Sequence, residues 1–543
     1  MAGAALVLAG AAQARVEPTT PLAGYAQARA AASAGALEQA SAGYAAALAA
    51  QPDNEVVASQ ALTHAVGAGD WPLALRAAHA LERRNALLPD ARFLLVAEAF
   101  RAGDWRAAGR QVDAVEQEQL FAFTVPVLRA WLAFGSREGD PLSFLAAASG
   151  SAASEAYAAE HRPLLLLAAG REGMSAPIRE AIEAAGPRAL RLRLAAAATL
   201  AQRGDRDEAL ALLAGDDSSL AAARRLVEAR RPVPGAVAGA AAGMAELMVR
   251  LALDMHAQDL APVAASFARL STYLAPESAQ TWMIAAELLA QQERHEAAVA
   301  LLGRVAGDDP LAGAARDQRI RLLMEADEDQ RALGEARSAA EAEGASVADL
   351  VRYAEVLMDQ DRPSDAARAF ARALELRSDE DASYSEWALW LFRGGAHDEA
   401  DDWPQARAAL EQAYRLAPDQ PLVLNYLGYA QLERRENLVE AERLVREAHR
   451  LAPNNGAITD SLGWALFLKG DLPEAISLLE RAAESEPADV EINEHLGDAY
   501  FTAGRRVEAR FAWAAARVYA EGGDAARLDA KIRTGLTPQL AAR

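Results

Sequence analysis

Gly69-Asp70-Trp71 and Gly103-Asp104-Trp105 are one tripeptide repeated 34 residues apart, and Gly470-Asp471 returns 34 residues later as Gly504-Arg505. A second marker keeps the same period: Pro276 and Pro310 lie 34 residues apart, Pro418 and Pro453 35, and Pro453 and Pro487 34. A fixed spacing carried by two unrelated residue types points to stacked repeats rather than to one large core. Each marker has a physical task. Glycine ends a helix where the backbone turns left-handed, and proline closes the next helix before another unit begins. The predicted unit is therefore a helical hairpin. Ala475, Ala482, Ala509 and Ala516 are small where its helices approach, and Leu462, Leu479, Leu496 and Trp513 fill the space around them.

Composition agrees with this reading. Hydrophobic residues make up 52% of the 543-residue chain and aromatic residues only 6%, which suits many close helix contacts better than a few large cores. The formal net charge is −22 and the pI about 4.9, so phosphate backbones are repelled at long range and no nucleic-acid partner is expected. Without cysteine, the sequence has no disulfide framework, thiolate nucleophile, cysteine-ligated metal or lipid-modified cysteine. Positive charge is nearly all arginine, the lysines being Lys469 and Lys531. No internal apolar run approaches the roughly 20 residues that span a bilayer, so no transmembrane segment is expected in the mature chain. Residues 1–14 read as a signal peptide: Ala2 to Ala12 is almost wholly apolar, and Ala12-Gln13-Ala14 resembles a cleavage site before Arg15, although no Lys or Arg follows Met1. A periplasmic or envelope location is expected on that ground, with the cytoplasm as the alternative.

Leu427-Gly428, Leu462-Gly463 and Leu496-Gly497, each followed by a small-residue helix and a closing proline or charged turn, resemble tetratricopeptide repeats. Trp282, Leu289, Ala298, Leu302 and Pro310 fit the same pattern, as do Ala366, Phe370 and Ala373, and Ala40, Tyr44, Ala47 and Pro52. The resemblance implies an all-α fold, an α-solenoid or right-handed superhelix of hairpins, with an upper limit of about fifteen. The expected organisation is a signal peptide over 1–14, then a tetratricopeptide-like array over 15–229 that degenerates after about residue 120. A loop or hinge over 230–243, with Pro232, Pro234 and several glycines, separates it from a second array over 244–520. Residues 521–543 form a capping helix and tail whose charged face covers the end of the stack.

No catalytic constellation emerges. The eight histidines, His64, His79, His161, His256, His295, His397, His449 and His495, are scattered among different repeats with no His-Glu-x-x-His pair. Neither lysine sits in a phosphate-cradling loop, and no Gly-x-Ser-x-Gly elbow is present. No enzymatic role, metal or cofactor is expected, and no stretch of alternating strands and helices remains to house a fused enzyme.

The inner surface, lined by the first helix of every hairpin, is the candidate site. Residues four apart share a helix face, so Asn425 with Tyr429, Asp460 with Trp464, and Glu494 with Asp498 form a candidate peptide-binding groove, with Phe467 and Phe501 one turn on. Aromatic platforms beside amide and carboxylate groups suit an extended or helical peptide. The same residues read equally as a solvated face, with Tyr429 and Trp464 as packing between repeats. Some tetratricopeptide domains grip a C-terminal carboxylate with Lys, Arg and Asn; here Asn425, Tyr429, Ser461, Glu491 and His495 occupy that region, so a basic or neutral partner fits better. The block from Asn425 to Trp513 is also similar to long tetratricopeptide proteins of proteobacterial envelopes, some of which bring cell-wall-modifying enzymes to a periplasmic processing protease. That similarity implies a non-catalytic scaffold or adaptor with protein partners of this kind. A cytoplasmic assembly or regulatory scaffold is the alternative.

Overall fold

The computed structural model describes residues 21–148, 151–170, 175–215, 217–378 and 384–542, so the signal-like residues 1–14 lie outside the described part. Among the described residues there are thirty α-helices and no strand. The first six are α1 Pro21–Ser33, α2 Leu37–Ala50, α3 Glu55–Ala68, α4 Trp71–Arg83, α5 Arg92–Ala102 and α6 Trp105–Glu118. Next come α7 Val125–Ser136, α8 Pro141–Ala146, α9 Ala152–Ala169, α10 Ser175–Ala184, α11 Ala189–Arg203, α12 Arg206–Leu212 and α13 Ser218–Glu228. They are followed by α14 Ala240–His256, α15 Ala261–Leu274, α16 Ala279–Ala290, α17 His295–Leu302, α18 Ala312–Glu325 and α19 Asp329–Ala340. The rest are α20 Val347–Asp359, α21 Pro363–Leu376, α22 Glu386–Glu399, α23 Trp403–Leu416, α24 Pro421–Glu433, α25 Leu438–Leu451, α26 Gly456–Lys469, α27 Leu472–Ser485, α28 Val490–Thr502, α29 Arg506–Tyr519 and α30 Gly522–Thr534.

The repeated tripeptide does what its residue types predict. Gly69 ends α3 at φ +76°, and the carboxylate of Asp70 caps α4 by accepting from the Leu73 N–H at 3.1 Å. Gly103 and Asp104 do the same between α5 and α6, with φ +67° and 2.9 Å to the Ala107 N–H. Left-handed residues recur at this place along the chain: Gly35, Gly69, Gly103, Arg137, Gly170, Gly204, Asp259, Glu293, Asp327, Asp361, Asp401, Arg435, Gly470 and Gly504. They join fourteen hairpins, from α1/α2 to α11/α12 and from α14/α15 to α28/α29, leaving α13 and α30 single. The hairpins therefore continue through residues 120–240, where the sequence pattern fades. One contributor is Arg137, which stands at a turn that glycine marks in the neighbouring hairpins at Gly103 and Gly170, at a cost of about 1 kcal/mol in backbone strain.

The chain divides into two compact units, Met1–Ala332 and Leu333–Arg543. The division lies within α19, not at the expected hinge over 230–243. That segment is bound into the first unit instead. Val233 packs with Leu194, Leu220 and Leu311, and the Val237 N–H donates to the buried Thr199 hydroxyl at 3.0 Å. Gly243 is helical, and a Cβ there would stand 2.2 Å from the Trp131 ring, so its role is close packing of α14 on α7.

In the first unit α14 and α15 pack across α3, α5, α7 and α9, the first helices of four earlier hairpins. Phe267 of α15 meets Phe93 and Phe121 edge to face at 5.3 and 5.5 Å, and Tyr273 lies 4.8 Å from Trp71. In the second unit the hairpins follow one another in chain order, and α24, α26 and α28 pack side by side. Gly497 has the Trp513 ring against it, 2.3 Å from where a Cβ would be, which explains the glycine of the Leu-Gly pair.

Candidate partner-binding face

The face formed by α22, α24, α26 and α28 holds all the site residues expected from the sequence, but it is less open than expected. Asp460, Trp464, Glu494 and Asp498 are buried, whereas Asn425, Tyr429, Phe467 and Phe501 are half-buried. The carboxylates expected to face a partner are engaged within the chain.

Two clusters result. In the first, the fully buried His495 places Nδ1 2.9 and 3.1 Å from the two Asp460 carboxylate oxygens. Its ring stacks on Trp464 at 3.9 Å, and Trp464 stacks in turn on Phe467 at 4.7 Å. Burial works against a charge on His495, but the pull of Asp460, with Glu491 and Asp498 behind it, is stronger and raises the imidazole to about 8. Tyr429 lies beside this stack, 6.3 Å from His495, and donates its hydroxyl to Glu491. Trp464 thus contacts the next repeat through His495. Asn425 joins neither cluster, and its Oδ1 makes no hydrogen bond among the described residues.

The second cluster is closed by α30. Lys531, fully buried, lies 2.7 and 2.8 Å from the Asp498 carboxylate oxygens and 2.7 Å from Glu494. Asp498 also accepts from Trp513 Nε1 at 2.9 Å and from the Ala542 N–H at 3.0 Å. Arg527 grips both oxygens of Glu494 at 2.8 and 2.6 Å. Burial pushes Glu494 up, yet these two cations outweigh it and hold the carboxyl below its ordinary value. α30, Gly522–Thr534, lies within the expected capping segment 521–543, and two of its cations face inward onto the stack. Phe501 sits at the edge of this cluster, 5.6 Å from Trp513.

Carboxylates the sequence reading did not single out complete the face. Asp398 and Glu399 end α22 and Glu433 ends α24, Glu399 and Glu433 being 34 residues apart. Burial, then repulsion from Glu491 and Asp398, pushes Glu433 above its ordinary value, and burial with Asp398 and Asp361 does the same to Glu399. That 34-residue spacing was the available signal for them. For Lys531 the signal was that it is one of two lysines in a chain whose other basic side chains, histidine aside, are arginine.

Ten buried side-chain atoms make no hydrogen bond among the described residues, and six are on α22, α24, α26 and α28: Arg393 Nε, His397 Nε2, Asn425 Oδ1, Gln431 Oε1, Trp464 Nε1 and His495 Nε2. Among the described residues no group of His, Asp and Glu is arranged to hold a metal, and no helix is long and apolar enough to cross a membrane.

The tetratricopeptide repeat family profile matches residues 353–421, 393–456 and 461–526. No curated protein matches the chain. Solved structures similar to it include a tetratricopeptide repeat protein from Parabacteroides merdae, 12% identical, covering 48% of this chain and 99% of that one with a TM-score of 0.39. Pseudomonas aeruginosa pilF is 17% identical, covering 40% and 97% with a TM-score of 0.32. MamA from Desulfovibrio magneticus is 15% identical, covering 31% and 92% with a TM-score of 0.26. The assignment rests on the repeats themselves: helical hairpins at the 34-residue period, and a family match across three successive segments of the second unit. The chain is an all-α solenoid of helical hairpins that carries tetratricopeptide repeats.

Proposed function

We propose that the chain is a non-catalytic scaffold that binds a protein segment along the face of α22, α24, α26 and α28. The observation that carries this reading is the row of six buried polar atoms without a partner among the described residues on four successive first helices. A buried polar group left unpaired costs about 1–3 kcal/mol, and an extended or helical segment laid along the face supplies donors and acceptors to it. Tyr429 and Phe467, both half-buried, offer apolar surface beside them. In its finer form the proposal places the chain in the cell envelope, as an adaptor between a processing protease and cell-wall-modifying enzymes. The support for that form is the similarity of the Asn425 to Trp513 block and the apolar N-terminus.

A photo-crosslinking residue in place of Tyr429 tests the face directly, with the same residue in place of Val439 as control, because Val439 lies on α25 and is 87% exposed. The expected result in native extract is discrete protein adducts from position 429 and none from 439. Equal capture from both positions, or no adduct from 429, rejects the face. Mass spectrometry of the adducts tests the finer form, which fails if no envelope protease or cell-wall enzyme is among them.

A further inference from the structure

A cleft of about 480 Å³ opens beside the His495 stack, lined by Glu433, Glu491, Glu494, His495, Asp524 and Arg527 among others. Its polar groups divide into those already paired and those still free to bind. Arg527 joins Glu494 to Asp524, the latter at 2.6 Å, so these three are satisfied. Glu491 accepts the Tyr429 hydroxyl but has no cation within 4.0 Å among the described residues. The cation nearest Glu433 is Arg434, at 3.8 Å, and the guanidinium of Arg434 closes on Asp398 instead. His495 is fully buried, yet its Nε2 makes no hydrogen bond among the described residues, while Nδ1 is taken by Asp460.

Among the described residues the wall therefore offers one carboxylate, Glu491, with no cation within 4.0 Å, a second, Glu433, whose neighbour Arg434 is drawn toward Asp398, and beside them one ring nitrogen lacking a partner. A cation alone satisfies the carboxylates and leaves the nitrogen unmet. A peptide carrying a basic side chain satisfies both, because its main chain brings an acceptor within a few ångströms of its cation. The chain's net charge of −22 draws such a segment in from a distance. We propose that this cleft is the specificity pocket of the docking face and takes a Lys or Arg of a partner segment, its cation against Glu433 and Glu491 and its main-chain carbonyl on His495 Nε2. This rests on the reading of that face as a docking surface and adds the chemical class of its partner.

The test uses the full chain with ¹³C-labelled histidine, the His495 resonance being assigned from a His495→Asn variant. The probe is a capped hexapeptide with one central arginine, compared with versions carrying norleucine or glutamate there. The expected result is a saturable shift of the His495 signal with the arginine peptide, at an apparent Kd about tenfold below that of the norleucine peptide. Glu433→Gln with Glu491→Gln removes that preference; glutamine keeps an acceptor for Tyr429, so the fold is retained. Glu447→Gln with Glu484→Gln, the same charge change on α25 and α27, leaves the preference intact. If all three peptides bind alike, or both double variants weaken the arginine peptide equally, the pocket is overturned. Spermidine displacing the peptide at matched charge overturns the peptide requirement and with it the proposal. None of these failures touches the crosslinking result at position 429, which judges the face itself.

Discussion

Two buried histidines show how one residue type is tuned in opposite directions. His161 accepts the Trp131 Nε1–H on its Nδ1 at 3.1 Å, and its Nε2 makes no hydrogen bond among the described residues. Burial is the main influence; Glu160 opposes it, Arg191, Arg250 and Arg188 add to it, and the imidazole falls to about 4. The folded chain therefore keeps His161 neutral where the unfolded chain protonates it. Stability from this group is full above the ordinary histidine value near 6.5 and drains away as pH falls toward 4. Between pH 7 and pH 5 the expected loss is about 2 kcal/mol. His161→Asn keeps an acceptor for Trp131 and cannot titrate, so its urea midpoint should fall less over the same interval. A variant as acid-sensitive as the parent would refute this assignment. His495 runs the other way: its folded value of about 8 lies above the unfolded one, so its contribution is complete below about 6.5 and is lost as pH rises through 8. Composition and spacing revealed neither histidine's state, because each depends on partners 30 and 35 residues away.

Single helices set what the repeats leave open. α30 buries Leu528 in the usual way, but two of its cations also turn inward, with Lys531 between Glu494 and Asp498 and Arg527 on Glu494. Removing one partner from a buried ion pair typically costs about 3–5 kcal/mol, since the other charge stays buried and unpaired. Lys531→Met should lower the stability of the second unit by that order and speed hydrogen exchange throughout α30 while sparing α20 and α21. A loss below about 1 kcal/mol, with α30 still protected, would show that apolar contacts such as Leu528 against Trp513 hold the helix. The hairpin α14/α15 plays a comparable part in the first unit, where Phe267 and Tyr273 fill the side that earlier first helices present. Sequence reading found α30 and its charges. It did not find their direction, because an amphipathic pattern states how wide a polar face is and not which neighbour meets it.

For the whole chain, 77 acidic and 55 basic residues give a net −22 that favours basic partners at a distance. Export is a property of the intact polypeptide and is tested there. If residues 1–14 are a signal peptide, protein isolated from its native host has an intact mass corresponding to a chain that begins at Arg15, and retention of Ala2 to Ala14 rejects that reading. The hairpin unit, its 34-residue period and the Gly-Asp-Trp turn were legible without coordinates, because turn geometry and close helix packing act over a few residues and impose residue types at fixed intervals. Repeats whose turns use Arg137 or Asp259 were not, since only the backbone shows that those residues are left-handed. Sequence alone also brought Asp460, Trp464, Glu494 and Asp498 to one face. Tertiary structure decided that Lys531, Arg527 and His495 would meet them there, and that the unit boundary would fall at Ala332 rather than near Pro234. Those outcomes depend on which surfaces desolvate each other across separate helices, a choice among neighbours that no local pattern encodes.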